Sequence, residues 1–130
     1  MKTILVDAAF TFTIDSESGF HIFQELHDLL DTFPNPKIIL TNANDEQLLK
    51  FGIVDMPYPV FSLKHEPDKV VPEYFVIMLD HFNLKPEDIV YFEHDLNAVR
   101  SAESVGITSY HYDADKKDLV SLRNFLEHNV

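Results

Sequence analysis

Five short apolar runs separated by segments of helical periodicity constrain this chain more than any other feature. They cover residues 2–6, 37–41, 60–63, 89–92 and 107–112. Runs of that length with little polar alternation read as strands buried on both faces. Between them, Phe20, Phe23, Leu26, Leu29, Leu30 and Phe33 recur at helical spacing over residues 20–32, and Pro34-Asn35-Pro36 stops that helix. Asn42 or Asn44 is placed to cap a short helix reaching about Phe51, with Gly52 as its stop. Pro72 opens a helix to about Phe82, residues 96–105 are helical up to Gly106, and Asp115 is read as the cap of a final helix that turns Leu119, Leu122, Phe125 and Leu126 inward. Residues 10–18 read as a short hairpin-like flap. Strand–helix alternation of this kind predicts one α/β domain over residues 1–130. Its expected form is Rossmann-like: a mostly parallel five-stranded sheet with helices on both faces. Right-handed crossovers then bring the carboxyl ends of the strands to one edge. Asp7, Thr41 and Glu93-His94-Asp95 all stand at such ends.

The chain's 130 residues suit a single hydrophobic core. No apolar run approaches the ~18 residues of a membrane span. The first strand pattern starts at residue 2, so no secretory leader is expected in this sequence, and a cytoplasmic location is the default expectation. There is no cysteine, which excludes disulfide scaffolds and thiolate chemistry. A net charge of -12 opposes binding to nucleic acid, and only ten Lys and Arg are present to form a basic patch. The acidic balance suits divalent cations better than polyanions.

Four motifs in order carry the chemistry. The first is Ile4-Leu5-Val6-Asp7-Ala8-Ala9-Phe10-Thr11, an apolar strand ending in a carboxylate. The second is Ile38-Ile39-Leu40-Thr41-Asn42, and the third is Lys69-Val70-Val71-Pro72-Glu73-Tyr74-Phe75. The fourth runs from Tyr91-Phe92-Glu93-His94-Asp95-Leu96-Asn97 to Gly106. Together they resemble the haloacid dehalogenase-like (HAD) superfamily over roughly residues 3–112. The resemblance implies that Asp7 is a nucleophile that attacks phosphorus and also ligates Mg²⁺. It implies that the Thr41 hydroxyl and the Asn42 backbone hold phosphoryl oxygens, and that Lys69 neutralises charge between Asp7 and the phosphoryl group. Glu93 and Asp95 are the acidic groups expected to complete the metal site. Each has a structural alternative: Asp7 as a plain strand end, Thr41-Asn42 as a turn and helix cap, Lys69 as a solvated lysine, and Glu93 with Asp95 as caps of the following helix.

Several positions depart from the family pattern. Ala9 stands where the superfamily's phosphatases carry the aspartate that protonates the leaving group, help worth roughly 10²–10⁴-fold. The haloacid dehalogenases, the phosphonoacetaldehyde hydrolases and the P-type ATPases also lack that acid, but the first two depend on a large inserted cap. The stretch from Asp7 to Thr41 has room for a flap, one helix and a strand, so no cap domain is expected and the site is expected to be open. His94 stands where a second aspartate is usual. Imidazole is a poor Mg²⁺ ligand and a good one for transition metals, so His94 points either to another divalent metal, to acid–base work, or to a bridge between a strand end and a helix. Val70-Val71 replaces the usual Pro-Asp, and Phe10 replaces a glycine and is expected to stiffen or crowd the flap. The other histidines show no metal-ligand spacing and are read as structural; the eleven Phe and five Tyr fall mostly at core spacing.

Three functions compete on this reading. One is a HAD-like hydrolase of phosphatase type, weak or specialised, acting on a phosphorylated small molecule or macromolecule. The second is a catalytically inactive HAD-like domain that binds a partner or a phosphorylated ligand. The third is a receiver-type phosphoacceptor domain, which needs an acidic pair after the first strand and an aspartate where Thr41 stands.

Overall fold

Every residue of β1 (Thr3–Asp7) is buried, and that places it at the centre of the sheet. It pairs in parallel with β4 (Lys37–Thr41) on one side and β6 (Ile89–Glu93) on the other. The less buried β5 (Val60–Ser62) and β7 (Thr108–His111) close the two edges, so the order is β5-β4-β1-β6-β7 with all neighbours parallel. These strands come from a computed structural model that describes residues Met1–Val130.

The period-two alternation of the strands divides the core in two. Ile4, Val6, Ile39, Val90 and Phe92 face α1 (Gln24–Asp31) and α5 (Leu119–Asn129), packing on Leu26, Leu30, Leu122 and Leu126. Leu5, Leu40 and Tyr91 face the opposite way onto Tyr74, Phe75 and Met78 of α3 (Glu73–Phe82) and Ala102 of α4 (Leu96–Ser104). The short α2 (Asp45–Lys50) packs the half-buried Leu48 against the core and starts with a capping box, in which Asn44 and Gln47 satisfy each other's backbone amides. This is a five-stranded parallel α/β domain of Rossmann-like form. Only a hairpin and α1 lie between β1 and β4, so no cap domain is inserted. No helix is long and apolar enough to cross a membrane.

Two expected boundaries move. Residues Gly19–Ile22 form a strand, β3, rather than the first helical turn; it pairs antiparallel with β2 (Thr13–Ser16). Gly19 sits at φ 103°, so the chain reverses there and extends, and Phe20 joins the flap instead of the helix. The last helix is capped by Asp118, whose carboxylate accepts from the Ser121 amide, and not by Asp115. Asp113 takes the amides of Asp115 and Lys116, which spends those residues on a turn before the helix begins.

Candidate active site

Parallel register assembles the site. Asp7 lies level with Leu40 across β4, and Val6 is level with Phe92, so Glu93 follows immediately beyond on β6. The carboxyl ends of β1, β4 and β6 thus meet at the point where the chain switches from one side of β1 to the other, the usual place for a site in an open parallel sheet. Lys69, from the loop before α3, reaches in beneath them. Its Nζ is 2.7 Å from Asp7 Oδ1, 2.6 Å from Glu93 Oε1 and 3.3 Å from the Leu40 carbonyl. The side chains of Lys69, Asp7 and Glu93 are 6%, 3% and 1% exposed, so this is a buried ion triad.

The second oxygen of each carboxylate points at His94. His94 Nδ1 hydrogen-bonds Asp7 Oδ2 and lies 3.2 Å from Glu93 Oε2. Thr11 Oγ1 donates to Asp7 Oδ2 at 2.7 Å, and the Tyr91 hydroxyl donates to Glu93 Oε1. Above this layer opens a pocket of about 210 Å³ whose lining includes Thr41, Asn42, Ala9, Phe10, Phe51 and Gln47.

Burial alone would raise the Asp7 carboxyl, but the Lys69 charge and the His94 hydrogen bond outweigh it and hold Asp7 well below the usual carboxylate range. Glu93 moves the other way, raised by burial and by the negative charge of Asp7. Burial works against the Lys69 ammonium, yet Asp7 and Glu93 keep it firmly protonated. Burial likewise lowers His94, while its hydrogen bonds to Asp7 and Glu93 raise it by more, to about 10. A histidine whose folded pKa exceeds its ordinary 6.5 stabilises the fold fully below pH 6.5 and loses that contribution as pH rises through 10. In the presence of a chelator, the stability advantage of the wild type over His94→Gln is therefore expected to shrink as pH rises from 6.5 to 10. Urea unfolding of both proteins across that range checks this, and a constant difference would contradict it.

Of the residues singled out in the sequence, Asp7, Lys69 and Glu93 meet in space. Thr41 lies beside them at the pocket wall, its hydroxyl accepting from the Ala43 amide at 3.1 Å. Asn42 also lines the pocket, but its side chain accepts from the Lys69 backbone amide at 2.7 Å and so anchors the lysine loop. Asp95 does not join the cluster. Its carboxylate accepts from the Asn97 amide as the cap of α4, and its backbone amide donates to Glu93 Oε2 at the pocket wall. The trio offering ligand atoms to a cation is Asp7, Glu93 and His94, whose ligand atoms lie within 4.8 Å of one another. Two carboxylates and an imidazole fit a divalent cation, and the imidazole favours a transition metal over Mg²⁺.

Tyr91 and Thr11 stand within the first and fourth motifs, but their hydrogen bonds to Glu93 and Asp7 were not anticipated. Tyr91 was legible in principle, because residues two apart on a strand share a face and it therefore points the same way as Glu93. Thr11 depends on the turn after β1, and Gln47 of α2 and His65 of the loop after β5 reach the pocket with no local signal.

By sequence, no family profile and no curated protein matches the chain. Solved structures do match. A HAD-superfamily hydrolase from Ehrlichia chaffeensis superposes with a TM-score of 0.73 at 15% identity, covering 98% of this chain and 98% of that one. A HAD family enzyme from Bacteroides thetaiotaomicron, in complex with magnesium and inorganic phosphate, gives 0.69 at 12% identity over 88% of this chain and 95% of that one. A HAD-superfamily hydrolase from Geobacter sulfurreducens gives 0.66 at 13% identity over 94% and 99%. With the parallel sheet order and the position of Asp7 at the end of β1, these likenesses identify the chain as having the haloacid dehalogenase-like fold.

Proposed function

We propose that this protein is a phosphohydrolase that uses Asp7 as its nucleophile. The observation that carries the reading is the buried Asp7–Lys69–Glu93 triad at the floor of an open pocket. Lys69 keeps Asp7 ionised and orients Oδ1, and its charge offsets the negative charge that accumulates when a phosphoryl group approaches. Thr11 and the His94 amide hold Oδ2, which fixes the carboxylate plane. Thr41 at the pocket wall is positioned to donate to a phosphoryl oxygen. Asp7, Glu93 and His94 would hold a divalent cation, which when bound supplies further charge neutralisation. The substrate is a phosphorylated small molecule or an accessible group on a macromolecule, since no cap closes the pocket.

Ala9 favours a second reading, a HAD-like domain that binds a phosphorylated ligand without turning it over. The two readings separate on one assay. Turnover of p-nitrophenyl phosphate is expected with Mn²⁺ or Mg²⁺, to fall in chelator, and to vanish in Asp7→Asn. Phosphate binding without turnover in the wild type would establish the second reading instead.

A further inference from the structure

Phe10 adopts a backbone conformation that suits it badly. Its φ is 67°, in the left-handed region that side chains other than glycine and asparagine avoid. The turn is held there by the Phe12 and Thr11 amides, which donate to the Ala8 carbonyl at 2.8 and 3.1 Å. The ring gains little burial in return, because Phe10 remains 45% exposed. Backbone strain in a bulky, exposed residue three positions from a nucleophile points to a task outside folding.

The ring is nonetheless held firmly. It meets Phe20 edge-on at 5.3 Å and Phe51 at 6.0 Å, and Phe20 meets Phe51 edge-on at 5.1 Å. Gly52 lets the flap approach the end of α2 closely, since a Cβ there would lie 2.7 Å from the Phe20 carbonyl oxygen. Phe10 and Phe51 consequently form an aromatic wall of the pocket above Asp7. A volume of about 210 Å³ is below the ~300–1,000 Å³ of sites for drug-sized ligands, and it suits a phosphoryl group with one ring.

Ala9 bears on the same question independently. An alkoxide leaving group needs a proton from the enzyme as the P–O bond breaks, and Ala9 has none to give. A phenolate, the base of an acid with pKa near ~10, departs without that help.

We infer that the pocket takes aryl phosphate monoesters, with the phosphoryl group at Asp7 and the ring of the leaving group against Phe10 and Phe51. The inference rests on the phosphohydrolase reading and names its substrate class. Asp7 Oδ1 attacks phosphorus, the P–O bond to the aryl oxygen breaks, and its electron pair leaves on the phenolate, which takes a proton from solvent. Water then attacks the aspartyl-phosphate. The P–O bond to Asp7 breaks, its electron pair returns to the carboxylate, and both water protons remain on the phosphate until they exchange with solvent.

Binding of two phosphonates tests this without turnover. Calorimetry on the whole protein in manganese buffer is expected to show phenylphosphonate binding about tenfold or more tighter than methylphosphonate. In Phe10→Gly and in Phe10→Ala that ratio is expected to fall below about threefold. Phe10→Gly places at φ 67° the residue best suited to it, so its melting temperature is expected not to drop, which separates loss of preference from loss of fold. If both phosphonates bind the wild type equally, or if the preference survives in both variants, the aryl inference is wrong while the phosphohydrolase reading stands. If neither binds, the phosphohydrolase reading fails and the inference fails with it.

Discussion

Lys69→Met is expected to lower the free energy of unfolding by about 3–5 kcal/mol, the range for removing one partner of a buried ion cluster. Lys69 Nζ is the shared donor to Asp7 Oδ1 and Glu93 Oε1, and the side chains of all three are almost fully buried. Methionine fills the volume but leaves two carboxyls side by side at low dielectric with only His94 to compensate them. Urea unfolding in the presence of a chelator measures the loss without a bound cation masking it. The double variant Lys69→Met/Glu93→Gln sharpens the test, because it removes the like-charge repulsion that the single variant creates. Its loss is expected to be smaller than the sum of the two single losses. A Lys69→Met loss below about 1 kcal/mol would mean that the carboxyls are neutralised some other way, and the ion triad would not be what holds this end of the sheet together.

Ala9→Asp is expected to raise kcat/KM for an alkyl phosphate such as glycerol phosphate by roughly 10²–10⁴-fold, the usual value of a positioned general acid. For phenyl phosphate the rise is expected to be much smaller, because the phenolate already leaves unaided. Ala9 lines the pocket and is only half-buried, so the new carboxyl can be accommodated facing the leaving group. The comparison uses kcat/KM because that parameter ends at departure of the leaving group and excludes hydrolysis of the aspartyl-phosphate. Equal gains for both substrates would show that the introduced acid acts on a shared step. No gain for either would show that the missing acid is not what limits the protein.

The boundaries that sequence misplaced both lie where turn chemistry competes with periodicity. Phe20 and Phe23 sit three apart, as on a helix, but Gly19 reverses the chain and makes Phe20 part of the flap. Asp115 and Asp118 are equally plausible caps by residue type. The choice falls to Asp118 because Lys117, at φ 50°, interrupts any helix begun at Asp115. Asp95 was ambiguous for the same reason, since a carboxylate before a helix reads equally as ligand or cap, and here it caps.

The amino-acid sequence alone determined the layered sheet, the inward faces of its strands and helices, and the edge at which Asp7, Thr41 and Glu93 would stand. Those follow from periodicities of two and 3.6 residues and from the handedness of crossovers, which are local properties of the chain. Tertiary structure decided the rest. Lys69 lies 62 positions from Asp7 and His94 lies 87, and no local pattern fixes which charged group closes on which carboxylate oxygen. Packing brings those loops together, and the cost of burying charge then selects the arrangement in which each carboxylate meets both cations. The aromatic wall has the same origin: Phe10, Phe20 and Phe51 belong to a turn, a hairpin and a helix end that meet only in the folded protein.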